Sequence, residues 1–249
     1  MRLLGASALA VTLWMVVFGG VFAKDAPPLQ HTRSYAGIQV LALTGAHQDI
    51  AGKQNGIAGG ALLQLTVSAP RWAVHAEGVP VIGSPQQRSS GFYGAATPAL
   101  GIFNGTARFT IDRRARIWVG VGTTVINQRT PLPNISQVAY SRLAGGRYEI
   151  FARIPTRNSH FIESTIGAAP RLFGADHFLY SDGSPPVNKD ELAAEEDLSL
   201  ALGIERRNYE LLFGVRTLNF SAKFTRTGEA ADRNNGAGLT IEYRRFIGG

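Results

Sequence analysis

His75 and Glu77 stand two residues apart. In an extended strand that spacing places both side chains on one face. A carboxylate beside an imidazole there can serve as an acid–base pair, or simply hydrogen-bond. Ser159-His160, with Ser164 close by, offers a hydroxyl and a base for nucleophilic chemistry. Asp176-His177 offers a carboxylate next to an imidazole, but adjacent residues of a strand point to opposite faces, so the two are a poor pair. The five histidines (His31, His47, His75, His160 and His177) show no metal-ligand spacing, and there is no cysteine to complete a zinc site. No GxSxG, Walker or dinucleotide fingerprint occurs in a strand–helix setting. The sequence therefore assigns no catalytic residue, no cofactor and no metal. Asp176, Asp182, Asp190 and Glu191, with Glu195 and Glu196 just beyond, could meet divalent cations or be solvated in a long loop.

Charged residues at alternate positions are far more numerous. Arg71, Glu77, Arg108, Arg147, Glu149, Arg153, Glu163, Asp197, Glu210, Arg216 and Glu242 all fall on the polar side of a two-residue repeat, and His75 joins them. In Gly101–Asp112, Phe103, Phe109 and Ile111 alternate with Asn104, Arg108 and Asp112. Leu198, Leu200, Leu202 and Ile204 alternate with Asp197 and Ser199, and Leu239, Ile241 and Tyr243 with Thr240, Glu242 and Arg244. This is the period of a strand with one apolar face. Ten such segments are expected, near 35–46, 57–68, 71–82, 98–112, 115–127, 138–154, 158–171, 195–205, 208–223 and 235–247. Eight remain an alternative, because Pro80 and runs of small residues blur the pattern at 35–46 and 71–82.

Connections alternate between short and long. The short ones lie near Ala69-Pro70, Arg113-Arg114, 155–157 and Arg206-Arg207; the long ones near 47–56, 83–97, 128–137, 172–194 and 224–234. The expected strands, roughly 10–16 residues, exceed the ~5–6 of an average sheet. An up-and-down meander of long strands, tight turns at one end and loops at the other, is the plan of an outer-membrane barrel. The polar face carries Gly, Thr, Ser, Asn, Glu and Arg but almost no Lys. A water-facing surface would be rich in Lys, whereas Arg pairs with carboxylates inside a narrow lumen. The alternatives are a soluble two-sheet sandwich or a soluble periplasmic lipocalin-like barrel.

The chain has 249 residues, 25 Lys+Arg against 18 Asp+Glu, 45% apolar residues, 17% charged residues and 29 glycines. Low charge and high glycine exclude a disordered chain and a coiled coil. Met1–Ala23 has one positive charge at Arg2, an apolar run and the small-x-small site Val21-Phe22-Ala23. That is the plan of a secretory signal peptide, cleaved near Ala23. The expected organisation is a signal peptide at 1–23, a periplasmic lead at 24–34 and one all-β barrel domain at 35–249. Net charge is +7, yet an export signal and the lack of an aromatic–basic stripe speak against nucleic acid as a partner.

Gly238-Leu239-Thr240-Ile241-Glu242-Tyr243, glycine then alternating apolar residues ending in an aromatic, resembles the C-terminal assembly signal of bacterial outer-membrane barrels. The chain continues through Arg244-Arg245-Phe246-Ile247-Gly248-Gly249, where such proteins usually end on Phe or Trp. The resemblance is generic. It implies an outer-membrane location in a Gram-negative-type bacterium, outer-membrane lipids as partners and delivery by the barrel-assembly machinery. Trp72, Tyr140, Phe151, Tyr209, Phe213, Tyr243 and Phe246 fall near strand ends, where aromatic girdles sit. Arg113, Arg114, Arg157, Arg206, Arg207, Arg244 and Arg245 fall on or beside the short-turn end and form an expected periplasmic basic rim for phospholipid phosphates. The expected function is a non-enzymatic envelope role with a largely side-chain-filled lumen. A narrow channel for small solutes and a lipid-active enzyme are the alternatives within the same fold.

Overall fold

The computed structural model describes residues 33–49, 52–85, 99–132, 137–156, 159–180 and 185–247. The expected signal peptide, Lys24–Thr32 of the lead, Asp182 and Arg157 lie outside them. The alternating segments become ten strands: β1 Tyr35–Asp49, β2 Gly52–Ser68, β3 Trp72–Pro85, β4 Ala99–Thr110, β5 Ile117–Leu132, β6 Gln137–Pro155, β7 His160–Tyr180, β8 Val187–Glu205, β9 Tyr209–Phe224 and β10 Ala230–Phe246. Each pairs antiparallel with its sequence neighbours. β1 also pairs with β10, from Tyr35↔Phe246 to Asp49↔Asp232, and closes the barrel. Closure leaves no sheet edge open and rules out the two-sheet sandwich. The segment interrupted by Pro80 is a full strand, with Pro80 opposite Gly101.

Strands run from 12 to 21 residues, most of them longer than the alternation indicates, although β4 is shorter. The expected loop 172–194 is largely strand: β7 continues to Tyr180 and β8 starts at Val187. Gly, Ser, Asn and Asp in that stretch read as loop by composition, but pairing with a neighbour outweighs strand propensity.

The pleat sorts the side chains. Ile38, Val40, Leu63, Leu65, Val74, Phe103, Val119, Val121, Leu202, Phe213, Leu239 and Ile241 point outward and are 39% to 70% exposed. They form a continuous belt on the half of the barrel nearer the short turns. A contiguous exposed apolar belt of this kind marks a surface that meets something apolar. Inward positions divide into two layers. Nearer the short turns the lumen is polar and charged. Farther along, Leu41, Leu43, Leu62, Ile102, Ile126, Leu143, Leu172, Leu218 and Phe220 pack into one buried apolar cluster.

One irregularity matters for what faces inward. β7 carries one extra residue, seen against β6 between Gly146 and Tyr148 and against β8 between Ala169 and Leu172. Pro170, which cannot donate to a ladder, sits in this bulge. Below it Phe161, Glu163 and Gly167 face in; above it Leu172 and Asp176 do. The bulge thus exchanges the two faces of the strand partway along it.

The apolar layer leads to a stability prediction. Phe220→Ala removes a ring that is 2% exposed and should cost about 3–5 kcal/mol by analogy with core truncations. Phe213→Ala, on the outward face of the same strand, should cost clearly less. Urea unfolding of the folded barrel in vesicles, followed by tryptophan fluorescence, distinguishes the two.

Candidate functional site: a closed lumen

Five arginines organise the polar layer. Each is carried by a strand whose pleat turns it inward, and each faces carboxylates from other strands. Arg244 donates through both terminal nitrogens to Glu163, at 2.7 and 2.5 Å, and through Nε to Glu242. Gln39 Nε2 donates to the other oxygen of Glu242 at 2.8 Å. Arg216 reaches across to Glu77 with a fork of 2.8 and 3.3 Å. Asn104 also donates to Glu77, at 2.8 Å, and receives the Thr124 hydroxyl at 2.7 Å. Arg108 Nε donates to Glu149 at 2.5 Å, with its guanidinium 4.5 Å from the centre of the Phe151 ring. Arg147 bonds Glu195 at 2.9 Å and Asp197 at 2.5 Å. Arg153 lies 3.6 Å above the Phe161 ring and bonds Glu205 and Glu210. The planar forks suit this work, because a guanidinium can serve two acceptors at once.

His75 is buried beside these groups. Its Nδ1 is 2.8 Å from the Thr66 hydroxyl and its Nε2 is 3.7 Å from Glu77. Glu77 is also held by Arg216 and Asn104, so the His75–Glu77 couple belongs to the network.

The expected luminal residues fall as follows. His75, Glu77, Arg108, Arg147, Glu149, Glu163, Asp197, Glu210, Arg216 and Glu242 face inward, and Arg153 is half-buried toward the short-turn end. Arg71 does not join them. It is exposed in the turn between β2 and β3, one residue before the pleat begins. Of the expected rim, Arg113, Arg114, Arg206, Arg207 and Arg245 are exposed at the short-turn end. Arg244 is the correction there. It is 4% exposed and bonded to Glu163 and Glu242, because its even position on β10 puts it on the face of Thr240 and Glu242. The Asp112 carboxylate shapes one of the basic turns, accepting from the Arg116 and Ile117 amides at 2.7 and 2.9 Å.

Other positions also differ from expectation. Phe151 lies inside against Arg108, not in an aromatic girdle. Glu195 faces Arg147 in the lumen, two residues from Asp197 and on the same face; the two-residue repeat already carried that signal. Asp176 and Glu191 are buried at the far end of the lumen, while Asp190 is exposed. The Ser141 hydroxyl bonds Asp176, and burial pushes the Asp176 carboxyl above the usual carboxylate range. His177 points outward to Asn188 at 2.7 Å. Ser159 sits in a turn with φ of 64°, and His160 next to it is exposed. These serine, histidine and acidic side chains do not converge on one point.

Among the described residues two small cavities line the lumen. A cavity of about 60 Å³ opens at the short-turn end between Arg33, Tyr35, Trp118, Phe151, Arg153 and Phe246. Another of about 30 Å³ lies deeper, among His75, Glu77, Arg216 and Glu242. At roughly 10–15 Å³ per water position, they hold a few water molecules. The apolar layer lies above them. At the far mouth the Lys189 ammonium is 5.1 and 5.0 Å from the ring centres of Phe178 and Phe224.

No protein-family model matches the chain, and no curated protein matches it in sequence. Solved structures do resemble it in shape. The outer membrane protease OmpT of Escherichia coli superimposes with a TM-score of 0.52 at 9% identity, covering 90% of this chain and 99% of that one. The β domain of the Bordetella autotransporter BrkA gives 0.43 at 12% identity over 86% and 100%. Neisserial surface protein A gives 0.36 at 8% over 85% and 97%. The fold is that of the bacterial outer-membrane β-barrels.

Arg147 yields the prediction for the lumen. Arg147→Leu leaves Glu195, Asp197 and Glu149 without their shared cation and should destabilise the barrel by about 3–5 kcal/mol. The triple change Arg147→Leu, Glu195→Leu, Asp197→Leu should recover most of that loss, since no charge is then stranded. Gly167→Ala should act in the same direction as Arg147→Leu, because its Cβ would come within 1.9 Å of Arg147 Nη2. Urea midpoints of the variants measure each effect.

Proposed function

We propose that this chain is an integral outer-membrane barrel with a closed lumen and a non-enzymatic role in the envelope. The observation that carries the reading is the inversion of the usual protein plan: an apolar belt outside, and inside it a charge network sealed by an apolar layer. The belt suits a hydrocarbon slab, since it rings the barrel and gives way to Asn127, Arg129 and Arg142 farther along β5 and β6. The sealed lumen argues against a solute channel. The scattering of Ser, His and acidic side chains argues against hydrolysis. The fold shared with a protease carries no activity by itself.

Export follows the N-terminal signal, with cleavage near Ala23. The Gly238 to Tyr243 stretch of β10 is the segment for recognition by the barrel-assembly machinery. Arg113, Arg114, Arg206, Arg207 and Arg245 face the phosphates of inner-leaflet phospholipids at the short-turn rim.

Two measurements test the reading. A membrane fraction run on a denaturing gel should show a band that changes mobility only on boiling. Recovery in the soluble periplasm without that shift overturns the membrane reading. The purified barrel in a planar bilayer should show no stepwise conductance above baseline. Steady unitary steps would overturn the closed lumen and make it a channel.

A further inference from the structure

The outward face of β5, β6 and β7 changes character above the apolar belt. Arg129, Arg142 and Arg171 are all exposed there. Arg142 is opposite Asn127, and Arg129 is opposite Tyr140, so the two arginines are diagonal neighbours across β5 and β6. Such pairs stand about 7–8 Å apart at Cα, within reach of one shared anion. Arg171, on β7, pairs with Gly146 and lies closer to the belt. The other outward positions of this band are Asn127, Tyr140, Ala144, Gly146, Phe173, Ala175 and His177, so the three strands present no carboxylate. Carboxylates begin on β8, with Asp190 and Glu196. Phe173 projects outward between the levels of Arg142 and Arg171, and Tyr148 below all three arginines, 60% and 61% exposed.

We propose that this face binds the phosphate groups of a phosphorylated lipid in the outer leaflet. The inference rests on the membrane reading above and adds a ligand to it. Like charges held this close on one face repel unless an anion comes between them. Guanidinium forks match phosphate oxygens two by two. The height of the cluster selects the source. It sits where the apolar belt ends, so headgroup phosphates of the outer leaflet meet it while the acyl chains run down past Tyr148.

The test uses the whole folded barrel in non-ionic detergent and diphosphorylated lipid A as the probe, with retained lipid measured as phosphorus or by mass. Arginines near an anionic surface are each worth roughly fivefold in binding, so the triple variant Arg129→Gln, Arg142→Gln, Arg171→Gln should bind about a hundredfold more weakly. The charge-matched triple Lys223→Gln, Arg226→Gln, Arg233→Gln, on exposed positions of β9, β10 and their turn, should bind as the unmodified barrel does. Arg142→Lys keeps the charge without the fork and should fall between. Equal retention of dephosphorylated lipid A, or an unchanged triple variant, overturns the proposal. Full competition by millimolar inorganic phosphate overturns the lipid as the source. Heat-dependent mobility separates the failures. A variant that has lost the shift has not folded, and the single variants, which keep it, then decide. An unmodified barrel that lacks the shift overturns the membrane reading itself. One that keeps the shift and binds no lipid overturns only this inference.

Discussion

Everything in this barrel follows from turning its apolar face outward. Once the belt is outside, every second residue of each strand is driven into a lumen too narrow for bulk water. A charge buried there is tolerated only with a partner of opposite sign and enough hydrogen bonds. The five luminal arginines supply those partners, and each takes at least one of them from another strand. Arg216 of β9 holds Glu77 of β3, and Arg244 of β10 holds Glu163 of β7. Gln39 of β1, Thr66 of β2, Asn104 of β4 and Thr124 of β5 extend the bonding until all ten strands take part. Such pairs are weak evidence for net stability. Their consequence is geometric. A strand that slipped by one residue would carry its arginine or glutamate to the lipid side and strand the partner, so the network fixes register where a uniform apolar face could not.

The two luminal layers divide the work between them. The charged layer lies level with the apolar belt, where strand pairing alone satisfies the backbone and the side chains must settle their own polarity. The apolar layer lies toward the loop end, where outward residues such as Asn127, Arg129 and Arg142 are polar. There the barrel returns to the plan of a soluble protein, polar outside and apolar inside. That return accounts for strands of up to 21 residues, about twice the ~9–11 that cross a bilayer. The upper half is a packed core carried on the same strands, and it closes the lumen that the lower half fills with charge.

Most of this architecture was legible because a period of two is robust. Strand number, antiparallel order and the inward position of Glu77, Arg108, Glu149 and Arg216 all follow from alternation alone. Failures occurred where composition was allowed to override the period. Arg244 continues the series Thr240, Glu242 and belongs inside, yet clustered arginines near a turn made it look like rim. Glu195 precedes Asp197 by two residues and belongs inside with it, yet an acidic stretch made it look like loop. Arg71 failed the opposite way. It follows Pro70 and stands outside the ladder, where parity has no meaning. The apolar upper layer left a signal in Leu41, Leu43 and Leu62, but small residues on the opposite face weakened the contrast.

The bulge in β7 is the one feature that alternation could not supply, and it decides what chemistry the loop end presents. Paired regularly with no residue bulged out, the same sequence would slip by one above Pro170, bringing Ala175 opposite Ser141 and turning Asp176 outward. The Ser141 hydroxyl and the buried Glu191 would then meet an alanine in place of a carboxyl. With the bulge, Asp176 enters, bonds Ser141 beside the buried Glu191, and the His177 imidazole stays outside on Asn188. The bulge thus absorbs the extra residue of β7 and keeps the polar partners of the loop end in register.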